Sequence, residues 1–229
     1  MNKATVRGLL MRQDWPGIRR LAGHSRRVLS LLLGLTYDPD ETVAWRAAEG
    51  LGVAAAVVAD QDPEFVQGIL RRLMWSLNDE SGSIGWKSPQ AMGAIVACRP
   101  NLFPEFAPLV ISLLELEEAA FRPGTLWAMG RIGARDANLV RQGILRMARF
   151  LADPDPETRA YACWCAGWVG AQETLPVLQA LAGDPAEVAI FEQGQLRRRT
   201  VGQVAQEAMA RLSDPGEVRR TSCPETQTL

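Results

Sequence analysis

The sequence predicts an all-α protein, an α-solenoid of about five helical hairpins with a short β-hairpin in the last unit. Three observations lead there. Apolar residues recur at three- and four-residue spacing almost throughout, as in FVQGILRRLMWSL (65–77) and LVRQGILRMARFL (139–151), while Val, Ile and Thr are scattered rather than alternating. Punctuation rich in Asp and Pro (YDPDE, DQDPE, NDESGS, RPNLFPE, ADPDPE, GDPAE) divides the chain into helices of about 10 to 20 residues, because both residue types favour helix starts and turns. The third observation is an internal period.

A shift of 41 carries Trp45-Arg46 onto Trp86-Lys87, Asp38 onto Asp79, Glu49 onto Gln90 and Gly52 onto Gly93. From Gly93, a shift of 37 reaches Gly130, and a second reaches Gly167 while taking Arg122 to Arg159, Trp127 to Trp164 and Gly133 to Gly170. Four copies result: DPDETVAWRAAEGLG, DESGSIGWKSPQAMG, EEAAFRPGTLWAMG and DPDPETRAYACWCAG. A connector and a second amphipathic helix follow each copy. A lone hairpin cannot bury its apolar face, whereas stacked neighbours can. The recurrent glycines near helix ends permit close helix contact or a left-handed cap.

The last unit departs from this plan. EVAIFEQGQLRRRTV alternates at Val188 and Ile190 and turns at Gln193-Gly194, which predicts a β-hairpin. Thr200 with Gln203 three residues on predicts a capping box opening the helix VGQVAQEAMARL. We expect one domain over 1–212 and a flexible polar tail over 213–229.

DPDPETRAYACWCAGWVG resembles the HEAT-like repeats, particularly the short type of the phycobilin lyases, Asp-x-Asp-x-x-Val-Arg-x-x-Ala-x-x-Ala-Leu-Gly, within the armadillo-like solenoids. The resemblance covers about residues 25 to 182 and departs at Pro89 and Pro123. It implies that the helix after Asp-Pro-Asp faces the inside of the curve. The concave face would then carry Trp45, Arg46, Glu49, Trp86, Lys87, Gln90, Arg122, Trp127, Arg131, Arg159, Trp164 and Trp168.

Trp45 and Glu49, Trp127 and Arg131, and Trp164 and Trp168 are i,i+4 pairs that each project from one helix face. Two readings stand for the rings, packing between hairpins or anchors in an open groove. For Arg46 and Arg159 the family pattern offers an ion-pair ladder to the Asp of a neighbouring unit. Arg197, Arg198 and Arg199 beside the β-hairpin form a second candidate contact.

Composition narrows the function. With Lys+Arg 25 against Asp+Glu 26, the net charge of -1 places nucleic acid behind protein as a partner. The charged N-terminus and the short apolar runs VLSLLLGL and VAAAVVA predict no signal peptide and no membrane partner, hence a cytoplasmic protein. Cys98, Cys163, Cys165 and Cys223 form no CxxC pair and read as buried thiols. One histidine, His24, leaves no donor set for a catalytic metal and no nucleophile elbow for a triad, and no phosphate loop is written.

We therefore expect no catalytic residues, no metal and no cofactor, but a scaffold or adaptor holding a protein or peptide in its concave groove. The resemblance implies two alternatives: a HEAT-like-repeat DNA glycosylase or DNA-binding protein, and a tetrapyrrole (bilin) lyase or chaperone.

Overall fold

The computed structural model describes residues 1–77 and 87–214. Three short helices, α1 (Lys3–Met11), α2 (Trp15–His24) and α3 (Arg27–Leu35), lead into the repeats. The helices of the four copies are α4 (Glu41–Ala59), α6 (Ser88–Cys98), α8 (Arg122–Gly133) and α10 (Pro156–Val169). Between them run α5 (Pro63–Ser76), α7 (Phe106–Ser112), α9 (Ile144–Ala148) and α11 (Leu175–Leu181). Strands β1 (Glu187–Glu192) and β2 (Gln195–Thr200) precede the closing helix α12 (Val201–Ser213). The tail from 215 onward, Cys223 included, and the segment SGSIGW (81–86) lie outside the described residues.

α4, α6, α8, α10 and α12 pack side by side in that order as an inner row. The intervening helices cover one side of the row, α5 against α4 and α6, α7 against α6 and α8, α9 against α10, and α11 against α12. Buried apolar side chains form one continuous cluster from Val6 to Leu212. α4 is long and apolar enough to cross a membrane, contrary to the sequence expectation, yet most of it is buried against neighbouring helices. It is a core helix, packed between α2, α3 and α6.

Helix starts follow side-chain chemistry. Asp14, Asp40, Asp62 and Asp155 accept hydrogen bonds from the first-turn N–H groups of their helices. Pro89 and Pro123 sit in the first turns of α6 and α8, where a missing N–H costs nothing, so those helices begin later than the repeat pattern suggests. The amphipathic stretch 139–151 is not one helix: 3₁₀ turns at Ala137–Leu139, Arg141–Gly143 and Arg149–Ala152 flank a five-residue α9. A tight 3₁₀ path lets Gly143 press against Ile111 and Met129, where a Cβ would sit 2.9 Å from both.

The predicted β-hairpin is present, in the register Glu187↔Thr200 through Glu192↔Gln195. Gln193 and Gly194 both have positive φ, 50° and 74°, as a two-residue hairpin turn requires. Thr200 and Gln203 form the reciprocal capping box.

The ion-pair ladder holds at Arg159 but not at Arg46, whose guanidinium goes to the backbone carbonyls of Leu10, Met11 and Gly194 because the β-hairpin and the end of α1 lie within its reach. Arg7 reaches Asp38 at 3.0 Å, Arg122 reaches Asp153 at 3.1 Å and Arg159 reaches Asp184 at 2.9 Å, while Arg159 Nη1 donates to the Asp153 and Pro154 carbonyls. Asp38 is held below the ordinary carboxylate range by the Arg7 hydrogen bond, and Asp184 by the Ala186 N–H and Arg159.

Glycine allows the inner row to close up. A Cβ on Gly52 would sit 2.5 Å from the Ala94 carbonyl oxygen, and one on Gly93 would overlap Ala128. We expect Gly93→Ala to cost about 1–3 kcal/mol by forcing α6 and α8 apart. Gly68→Ala, on α5 with open space around it, should instead gain up to about 1 kcal/mol from helix propensity. Urea unfolding of the two variants checks the pair.

Candidate functional site

The inner row bends so tightly that Trp45 on α4 meets Trp127 on α8 edge to face at 5.3 Å and stacks on Tyr161 of α10 at 5.8 Å between ring centroids. Trp127 stacks in turn on Trp164 at 6.4 Å, and Trp164 tilts against Trp168 at 5.7 Å. Phe191, from the end of β1, closes the assembly, stacked on Trp45 at 4.9 Å and edge-on to Trp127 at 6.2 Å. Trp45, Trp127 and Trp164 retain 3%, 1% and 4% of their surface. The hollow side of the row is filled by its own rings.

Polar groups fasten the β-hairpin there. The Phe191 N–H donates to Tyr161 Oη at 3.0 Å, and Trp164 Nε1 donates to Glu192 at 3.0 Å. Arg46 Nε donates to the Gly194 carbonyl at 2.5 Å while its Nη1 donates to the Leu10 and Met11 carbonyls. Across the same face Arg131 pairs with buried Glu49 at 3.2 Å and lies over the Trp127 ring. Burial pushes the Glu49 carboxyl above its ordinary 4.5, against the pull of Arg131 and Arg46.

Beside this packed hollow, a cleft of about 630 Å³ opens where the N-terminal ends of α4, α6, α8 and α10 come together. Tyr37, Glu41, Trp45, Lys87, Gln90, Ala120 and Glu157 are among its walls. Lys87 Nζ sits 2.6 Å from Glu41 Oε1 and 5.1 Å from the Trp45 ring, and Trp45 Nε1 donates to that same oxygen at 3.1 Å. One carboxylate thus fixes both the ammonium and the indole. Partial burial and the neighbouring Asp155 and Glu41 raise the Glu157 carboxyl, with Lys87 opposing.

Residues 107–192 match a family model described as HEAT repeats. An uncharacterized protein of Archaeoglobus fulgidus is 33% identical over 86 residues, 38% of this chain and 44% of that protein, so the match spans less than half of its length. Among solved structures, an engineered protein aligns with a TM-score of 0.51 at 14% identity, over 94% of this chain and 98% of its own. An archaeal HEAT-like repeats protein from Thermococcus onnurineus NA1 aligns with a TM-score of 0.39 at 20% identity, over 93% and 80%. The chain is an α-solenoid of HEAT-like repeats.

The structure distributes the residues singled out in the solenoid's sequence into four groups. Trp45, Trp127, Trp164 and half-buried Trp168 are packing, so the open-groove reading of the rings gives way to the packing one; the cause is bending that sequence periodicity does not specify. Arg122 and Arg159 belong to the ladder, and Arg46, Glu49 and Arg131 bind the hollow together. Lys87 and Gln90 line the cleft, and Trp86 lies outside the described residues.

Arg197 and Arg198 are exposed, with Gln193 and Glu187 as partners, whereas Arg199 is drawn in by Glu192 and Glu207. Tyr37, Tyr161, Glu157 and Phe191 were not singled out by sequence reasoning. The i,i+4 spacing of Glu157 and Tyr161 and the apolar hairpin residue beside Glu192 were the available signals.

His24 is exposed, with its Nδ1 2.6 Å from the Arg20 carbonyl oxygen. Cys98, Cys163 and Cys165 are buried; burial pushes the Cys163 thiol up to about 12 and raises Cys165 as well. Among the described residues no group of three or more His, Cys, Asp or Glu is placed to hold a metal ion.

Two measurements test the hollow. Phe191→Ala should lower stability by about 3–5 kcal/mol, the cost of deleting a fully packed ring. A loss under about 1 kcal/mol in chemical denaturation would show the hairpin to be a dispensable appendage. Arg131→Met removes a cation that restrains Glu49, so the carboxyl rises further. A carboxyl raised in the folded state destabilises the fold as pH climbs from its unfolded value near 4.5 through its folded value. The melting deficit of Arg131→Met should therefore grow between pH 4.5 and pH 8 and be relieved by adding Glu49→Gln.

Proposed function

We propose that the chain is a non-catalytic scaffold that docks a protein partner at the cleft formed by the inner-helix N-terminal ends, not along the hollow of the curve. The observation that carries this reading is the occupancy of the hollow. Phe191 and the Gln193-Gly194 turn lie where an extended peptide would otherwise run, and the tryptophans are spent on holding them.

The cleft retains what a docking site needs: concavity, a rim ring at Tyr37, and charged groups fixed in position rather than free to rearrange. A scaffold reading also agrees with thiols kept protonated by burial and with a lone histidine at the surface.

Ala120, exposed on the cleft wall, offers a clean test. Ala120→Trp places a ring in the opening without touching the core. Partner recovery by the tagged full chain from its native cell extract should be abolished by this substitution at an unchanged melting temperature. Undiminished recovery would place docking elsewhere on the molecule.

A further inference from the structure

The walls of the cleft are rich in hydrogen-bond acceptors. At its floor Gln90 is 97% buried, being 3% exposed, and its Oε1 has no hydrogen-bond partner among the described residues. A buried carbonyl oxygen without a donor is a standing cost that an incoming N–H relieves. On the wall, Glu157 carries no hydrogen bond or ion pair among the described residues, and the protein around it disfavours its charge. Four carboxylates, Asp38, Glu41, Asp155 and Glu157, are among the cleft walls; Asp38 is already paired with Arg7 and Glu41 with Lys87, the one ammonium of the lining.

Helix N-termini ordinarily favour anions. Here Asp40 already accepts from the Thr42 and Val43 N–H groups, and Asp155 from Thr158. At α4 and α10 the acidic caps thus occupy first-turn donors an anion would use, while α6 and α8 start without a side-chain cap, so the case for a cation rests on the acceptors Gln90 Oε1 and Glu157.

We propose that the cleft receives a basic side chain, arginine or lysine, presented by the partner protein. The cation's N–H groups donate to Gln90 Oε1 at the floor and to the Glu157 carboxylate on the wall, and the exposed Tyr37 ring offers a face to the guanidinium or ammonium at the mouth. This rests on the docking reading of the cleft given above, and it goes further by naming the chemistry of the anchor.

The test titrates the full chain with four capped pentapeptides, Gly-Gly-X-Gly-Gly with X arginine, lysine, citrulline or glutamate, followed by the indole N–H resonance of Trp45. The arginine and lysine peptides should bind saturably, and citrulline, shaped like arginine but uncharged, about tenfold more weakly, the equivalent of one charge-assisted hydrogen bond. Glutamate should not bind.

Glu157→Gln, on an exposed position that leaves the fold intact, should weaken arginine about tenfold, and Gln90→Met should weaken it further. Equal binding of arginine and citrulline, preference for glutamate, no binding of either basic peptide, or indifference to Glu157→Gln each overturns the assignment. If the basic peptides fail while Ala120→Trp still abolishes partner recovery, the basic anchor falls and the docking site stands; if both fail, the cleft is no docking site.

Discussion

Backbone approach along the inner row is the constraint on which everything else in the molecule depends. Gly52 against Ala94, Gly93 against Ala128 and Gly167 against Ala208 bring neighbouring inner helices closer than any side chain would permit. These close approaches recur between α4 and α6, α6 and α8, and α10 and α12, which draws the inner side of each hairpin together and turns the row sharply. Trp45 can touch Tyr161, three inner helices away, only because these approaches add up.

The filled hollow follows from that geometry. A gently curved row leaves a broad groove, whereas one closed this far leaves a space matched to a few large rings and a hairpin tip. The tryptophans then act through burial and offset or edge-on ring contacts, and the nearby charges, Glu49 with Arg131 and Arg46 with the Gly194 carbonyl, bind parts of the chain to one another. Open side chains are left at the rim, where the inner helices start. Lys87 and Gln90 stand there, at the opening of α6.

Most of the fold was legible because it is written in local chemistry. Asp at the N-caps, Pro89 and Pro123 in first turns, Gln193-Gly194 in a turn and the Thr200–Gln203 box each act over three or four residues, and the period of 37 to 41 arranges them. The stretch 139–151 was misread for the same reason: its apolar spacing suits a helix, yet the contact of Gly143 with Ile111 selects tighter 3₁₀ turns. The site was much less legible. Whether a tryptophan on a repeat's inner helix faces solvent depends on the summed bend of four units, and whether Glu49 or Glu157 has a partner depends on residues far away in sequence, Arg131 in one case and none among the described residues in the other.

Stacked-repeat proteins are ordinarily one-dimensional in their energetics: each unit feels only its neighbours, and the array frays from its ends. The reach of Arg46 changes that here. Its guanidinium holds the Gly194 carbonyl of the β-hairpin together with the Leu10 and Met11 carbonyls that end the first helix, so it acts as a clasp between units far apart in sequence. Damage to the β-hairpin is therefore felt at the first helix. The element that closes the interior is thus also the one that ties the far unit back to the first, exchanging the adaptable length of an open array for a fixed shape.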